Sequence, residues 1–280
     1  MKISLILPTK NNTTSLARCL ESLEKKTYNG KNLEVLLGVN NDDYNTINFI
    51  ENLKEFKFEI KKILVEKNKN YFDLAEIKNQ MVKTSSGKFF FTYSDDDEML
   101  TLNWDKILIE KIKKLPKDEI YLLFPSHNQR NSNTPLEIII SRKWFETINK
   151  FNNTFEGDTE MYIISKLLNR IFKINEINIY HHTNEREIKK DWINTRGKFL
   201  KGKYYHKNSI LTFKNLVKMI YDYKHLKNKI YNVKSNNFLM LKVYLQLPYY
   251  ILQIYFKTKL NFFKVLVKQL FFLKSFDANS

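Results

Sequence analysis

Four consecutive carboxylates, Asp95, Asp96, Asp97 and Glu98, follow the apolar run Lys88-Phe89-Phe90-Phe91-Thr92-Tyr93 after the single residue Ser94. Carboxylates this close repel one another and raise each other's pKa unless a cation or hydrogen-bond donors compensate. A divalent ion is the natural partner, because Mg²⁺ or Mn²⁺ prefers oxygen ligands and bridges a carboxylate to substrate phosphates. The plainer reading is a solvated acidic loop capping a helix that begins near residue 102, since negative charge favours a helix N-terminus. Glu156, Asp158 and Glu160 form a second acidic cluster ahead of an amphipathic stretch, where the cap of a helix would account for them. His181 and His182 follow an alternating run at 174–180, and a histidine there is more often structural or superficial than a ligand.

The elements that must position these residues alternate. Residues 3–7 form an apolar run ended by Pro8, and 33–39 form a second, followed by the polar turn Asn40-Asn41-Asp42-Asp43. Between them Leu16, Leu20 and Leu23 recur at helical spacing behind Thr13 or Thr14 as cap. A helix over 44–56, a strand at 58–65, a helix at 72–83 and the strand at 88–93 continue the pattern. Further on come a helix at 102–115, a strand at 119–125, an apolar stretch at 136–140, helices at 142–150 and 158–172, and the strand at 174–180. Alternation of this kind predicts an α/β fold with a mostly parallel sheet between layers of helices. Ligands then lie beyond the carboxyl ends of the strands, which places the chain after Pro8, Val39 and Tyr93 on one rim. Cys19 and Trp104 read as core, whereas Trp144, after Arg142-Lys143, is a candidate for contact with a second substrate.

Residues 3–12, ISLILPTKNN, and the following LARCLESLEKKTY resemble the opening of family-2-type glycosyltransferases with the GT-A fold. Asn79, Gly87 and the apolar strand ending in Asp95-Asp96-Asp97 resemble that family's Asn…Gly…strand…Asp-X-Asp sequence, and the likeness extends over about 1–182. The resemblance implies a GT-A-like catalytic domain at 1–185, with a nucleotide-binding half (1–98) and an acceptor half (99–185). It implies Mn²⁺ or Mg²⁺ on the diphosphate of a nucleotide-sugar, a UDP-sugar first. Asp97 is then the direct metal ligand and Asp95 a ribose or metal-water contact, while Asp96 can exchange roles with either because the triple Asp leaves the register open. Pro8 and Thr9 match the loop that contacts the base. Family members commonly end the second strand in Asp-Asp-Gly-Ser; here Asn40 or Asp42 must serve, which bears on the nucleotide rather than the fold. In related enzymes a Glu-Asp element opens the acceptor-side helix and its aspartate is the general base of an inverting transfer. Asp158 matches best, Glu156 and Glu160 are the alternatives, and Gly157 stands where the family usually has Glu. By the same resemblance His182, or else His181, contacts the metal or diphosphate.

The chain of 280 residues carries a net charge of +17. Residues 198–280 hold 16 Lys/Arg against 2 Asp/Glu, leaving 31 against 28 in 1–197. The excess therefore belongs to a basic, aromatic extension, 186–280, with no convincing strands. Its lysines alternate with large apolar groups over 237–274, a pattern that fits an interfacial helix on an anionic membrane. Nucleic acid is not an expected partner, because no recognisable motif is present and the extension from 198 holds no Arg. The N-terminal apolar run is too short for a signal peptide, and with a single cysteine the expected location is cytoplasmic, peripheral on the inner face of the cell membrane. The expected function is a metal-dependent glycosyltransferase of bacterial polysaccharide or glycan assembly, acting on a glycan or lipid-linked acceptor. The alternatives are a nucleotidyltransferase, against which stands the absence of glycine in 8–15, and a non-catalytic membrane-associated scaffold of the same fold.

Overall fold

A computed structural model describes residues 1–66, 74–128, 135–152, 157–182 and 213–231, with only the helical backbone at 157–159, 213, 214 and 216. The element order is β1 (Ile3–Thr9), α1 (Thr13–Lys26), a 3₁₀ turn (Gly30–Asn32), β2 (Leu33–Asn40), α2 (Tyr44–Glu51), β3 (Glu59–Val65), α3 (Leu74–Thr84) and β4 (Phe89–Thr92). There follow β5 (Asp97–Met99), α4 (Trp104–Lys113), β6 (Leu122–His127), β7 (Ile139–Ser141), α5 (Arg142–Ile148), α6 (Gly157–Leu167), β8 (Ile171–His181) and α7 (Phe213–Tyr231). One sheet takes the order β3-β2-β1-β4-β7-β6-β8-β5. Four of its neighbouring pairs are parallel (β3–β2, β2–β1, β1–β4, β6–β8) and three antiparallel (β4–β7, β7–β6, β8–β5).

The central strands are apolar on both faces because helices cover both, as a parallel sheet requires. Ile3, Leu5, Leu7, Val35, Leu37, Phe89 and Phe91 join Leu16, Cys19, Leu20 and Leu23 of α1 in the main core, with Trp104 edge-on to Phe91 at 5.7 Å. β1 continues through Pro8 to Thr9 instead of ending at the proline. β4 pairs only with Ile3–Ile6, so the missing N–H of Pro8 faces no partner strand on that side.

Several boundaries move for local reasons. The strand expected from 119 starts at Leu122, because Glu119 takes a left-handed φ of 60° and the Asp118 carboxylate accepts the Ile120 N–H at 2.8 Å. The helix expected to reach 172 stops at Leu167, where Asn169 turns left-handed and the Arg170 N–H returns to the Ser165 carbonyl. Asn12, rather than a threonine, caps α1, without a side-chain bond. The acidic segment itself yields an unforeseen edge strand, β5, with Asp97 opposite His181 in β8.

At the amino end of the parallel strands Glu34 is fully buried and accepts from Ser4 Oγ (2.5 Å), Ser86 N–H (2.6 Å), Gly87 N–H (3.0 Å) and Lys61 Nζ (2.6 Å). One carboxylate thus joins β1, β2, β3 and the turn before β4. A Cβ on Gly87 would lie 2.1 Å from Ser4 Oγ, so only glycine permits this approach. Burial alone would raise the pKa of Glu34, but the bonds from Lys61, Ser4 and Ser86 win and hold it well below the usual carboxylate range.

Helix α7 packs on α5 and α6 within the compact unit Met1–Val233, burying Met219, Tyr223 and Leu226. Its Lys218 Nζ donates to Asp222 (2.5 Å) and to the carbonyl of Ile148, at the C-terminal end of α5 (3.1 Å). The boundary expected at 185/186 and the segment 237–274 lie outside the described residues. Among the described residues no helix is long and apolar enough to cross a membrane.

Replacing Glu34 by Ala strands buried donors and should cost about 3 kcal/mol in denaturant titrations. Because its pKa is depressed on folding, its contribution is complete above the ordinary Glu range, about pH 4.3, and disappears as pH falls below it. Wild type should therefore lose stability on acidification more steeply than the variant.

Candidate active site

Three strand ends meet on one rim. Thr9 closes β1, Asn40 closes β2, and the chain leaving β4 passes through Tyr93 and Ser94 into the carboxylates. Thr9 Oγ1 donates to Asp95 Oδ2 at 2.8 Å, so the first aspartate joins the ends of β1 and β4. Asp96 and Asp97 lie one step further, at the start of β5.

The register of β5 on β8 decides what Asp97 meets. Its carboxylate, 1% exposed, accepts the Ser94 N–H at 3.2 Å through Oδ2, while Oδ1 is 2.7 Å from His181 Nδ1. The same ring nitrogen is 3.6 Å from Asp96 Oδ1. Burial pushes the Asp97 carboxyl up against the pull of His181; burial would lower the imidazole, but the Asp97 bond prevails and raises it. Asp96, Asp97 and His181 each present one ligand atom within 4.8 Å of the others. His182 takes the opposite face of the strand. Its N–H donates to the Asp96 carbonyl at 3.0 Å, its Nε2 is 2.9 Å from Glu98, and its ring packs on Tyr180.

A donor set of two carboxylates and one imidazole fits a divalent ion, and suits Mn²⁺ better than Mg²⁺, whose ligands are nearly all oxygen. Asp95 is turned instead to Thr9. Pro8 is half-buried on the rim, Asn40 is buried at the end of β2, and Asp42 is exposed in the turn beyond it. Their unforeseen neighbour Asp43 does the bracing, accepting from Asn11 N–H (2.7 Å) and from Thr46 N–H (3.1 Å) and Oγ1 (2.7 Å), which caps α2 and fixes the loop after β1. The Asn79 amide is spent on the backbone of Phe151, donating at 3.1 Å and accepting at 2.7 Å, and so holds the chain that leaves α5.

On the acceptor side Glu156 lies outside the described residues, and Asp158 is placed by its backbone in the first turn of α6. Glu160 is buried and accepts from Asn152 Nδ2 at 3.2 Å. It lines a cleft of about 240 Å³ with Lys78, Ser94, Glu137, Trp144 and Asp222. Trp104 is core, its Nε1 donating to Thr27 Oγ1 at 3.1 Å. Glu137 is a buried carboxyl that receives hydrogen bonds from Thr92 Oγ1 (2.9 Å) and Ser94 Oγ (2.8 Å). Burial first, then the negative charge of Asp97, pushes its pKa up to about 8 against the pull of Lys78 and the two hydroxyls. The signal for it in the sequence is a single charge inside Leu136-Glu137-Ile138-Ile139-Ile140.

This strand order and rim belong to the GT-A glycosyltransferases. A mannosyltransferase from Pyrobaculum calidifontis in complex with GDP-Man and Mn²⁺ superimposes with a TM-score of 0.55 at 14% identity, covering 88% of this chain and 80% of that one. Residues 1–349 of TarS from S. aureus in complex with UDP-GlcNAc give 0.54 at 16% identity, covering 82% of each chain. The sequence profile of glycosyl transferase family 2 matches residues 4–183, and the chain belongs to that family. Two curated relatives are the glycosyltransferase GlyG of Streptococcus pneumoniae, 24% identical over 131 residues, and the GalNAc(5)-diNAcBac-PP-undecaprenol beta-1,3-glucosyltransferase of Campylobacter jejuni, 31% identical over 101 residues. The matches cover 47% and 36% of this chain but only 42% and 31% of those relatives.

A carboxyl raised on folding favours the folded state while it keeps its proton, and that advantage falls as pH rises from the ordinary Glu range, about 4.3, toward the folded-state value. Wild type should lose stability between about pH 5 and pH 8, and Glu137→Gln should flatten that slope in urea titrations at a series of pH values.

Proposed function

We propose that the protein is a metal-dependent glycosyltransferase that moves a sugar from a nucleoside-diphosphate donor, a UDP-sugar first, to a hydroxyl of a glycan or lipid-linked acceptor with inversion. The observation that carries this reading is the Asp96–Asp97–His181 group at the carboxyl end of the nucleotide-side strands. Bound there, Mn²⁺ or Mg²⁺ supplies positive charge for the diphosphate as it leaves. Asp96, Asp97 and His181 hold that charge in place, and Thr9 with Asp95 fixes the rim against which the nucleoside lies. Asp158 receives the acceptor's hydroxyl proton; the acceptor oxygen bonds to C1 from one face, and the C1–O bond to the phosphate breaks on the other. The names of relatives support both ends of the reaction: structures with UDP-GlcNAc and GDP-Man on the donor side, and an undecaprenol-linked saccharide on the acceptor side.

The basic segment 237–274 is proposed to hold the protein on the anionic inner face of the cell membrane, where a lipid-linked acceptor resides. Flotation with vesicles containing anionic lipid should be strong at low salt and fall as salt rises. Equal flotation with neutral vesicles would argue against this placement.

Release of nucleoside diphosphate should fall by about 100-fold or more in Asp158→Ala, the scale of a lost general base, with donor binding kept. Asp97→Ala should lose Mn²⁺-dependent donor binding in calorimetry. Wild-type rates in both variants would sink the transferase reading.

A further inference from the structure

Glu137 interrupts an apolar run, is 6% exposed and stands in the wall of the cleft beside the acidic element. Its oxygens accept one hydrogen bond each, from Thr92 and Ser94, and a carboxyl group retains further acceptor capacity after two bonds. Ser94 lies two residues before Asp96 and gives its N–H to Asp97, so Glu137 is one side chain away from the group that would hold the diphosphate. In a nucleoside-diphosphate sugar C1 is bonded to an oxygen of the terminal phosphate. A donor whose diphosphate lay at Asp96, Asp97 and His181 would carry its sugar toward the cleft that Ser94 and Glu137 line.

A second observation points to an oxygen-rich ligand. Trp144, 1% exposed, lines the same cleft, and its buried indole N–H has no partner among the described residues. Buried donors in proteins are nearly always paired, so this N–H leaves a hydrogen bond still to be made beside the cleft. Ile138, Phe151 and Met161 add apolar surface to the wall. A pyranose has this mixed character, with hydroxyls at its edge and C–H groups on its faces.

We infer that Glu137 selects the sugar carried by the donor by accepting a hydrogen bond from one ring hydroxyl. The inference rests on the transferase reading above. Its physical basis is asymmetric: a site built to bond a hydroxyl rejects an epimer that lacks it there, because the remaining lone pair is shut off from water and the bond is not replaced. A carboxyl that merely braced Thr92 against Ser94 would be indifferent to the epimer offered.

Calorimetry in Mn²⁺ with wild type, Glu137→Gln and Glu137→Ala tests this against UDP, GDP and three epimer pairs: UDP-glucose and UDP-galactose, UDP-GlcNAc and UDP-GalNAc, GDP-mannose and GDP-glucose. Wild type should prefer one member of a pair by about tenfold or more, a ratio that falls to within about threefold in both variants while affinity for the free nucleoside diphosphate stays within about threefold. Ser94→Ala removes one tether of Glu137 and should lower the ratio as well, which keeps the test open if the Glu137 variants fail to fold. An unchanged ratio with nucleotide binding intact, or a wild type without preference in any pair, overturns the role of Glu137 and leaves the transferase reading standing. Failure of wild type to bind either nucleotide in Mn²⁺ overturns that reading and this inference together.

Discussion

The antiparallel pairing of Asp97 with His181 holds the two parts of the sheet to one purpose. β8 is built on β6 at the far side of the sheet, whereas the acidic segment leaves β4 at its centre. By pairing with β8, that segment becomes the last strand and closes the sheet's outer edge. The same register sets Nδ1 of His181 2.7 Å from a carboxylate that would otherwise be a buried, uncompensated charge. A slip of one residue would put Tyr180 or His182 opposite Asp97 and turn His181 to the other face. Fold closure and the ligand group are therefore one event.

Three buried carboxylates show how the same chemistry is put to opposite uses. Glu34 meets donors from Ser4, Ser86, Gly87 and Lys61, and they hold it ionised as a brace at the amino ends of the strands. Glu137 receives two hydroxyls and the pull of Lys78, but burial and the charge of Asp97 outweigh them and drive it toward the neutral form. Asp97 stands between them, with burial opposed by the His181 imidazole and the Ser94 N–H. Depth of burial, neighbouring charge and donor supply together decide each case.

Local pattern carried the nucleotide side well, because β1, β2, β3 and β4 are buried apolar runs separated by helices of clear periodicity. The carboxylate rim after Tyr93 was legible for the same reason: a charge cluster at the end of such a run has only one edge to occupy. β5 was not legible, because Asp97–Met99 is a strand only by virtue of a partner 84 residues away at His181. The choice between His181 and His182 likewise depends on strand register, which alternation alone does not fix at its first residue. Glu137 shows in the sequence as one charge inside an apolar stretch, which local pattern alone does not connect to the rim. The bracing role of Asp43 is not legible locally, because capping of α2 depends on where the helix starts, and that boundary emerges only with the loop folded.

Helix α7 lies beyond the stretch 4–183 that the family shares, yet it supplies Asp222 to the cleft and seals α5 and α6 through Met219 and Leu226. A fragment trimmed to the shared region would therefore carry every residue of the Asp96–Asp97–His181 group and still present a raw apolar seam to water. Its poor solubility would then be misread as a defect of that group. The extent of the compact body is set by packing, which takes in α7, and not by the reach of family resemblance.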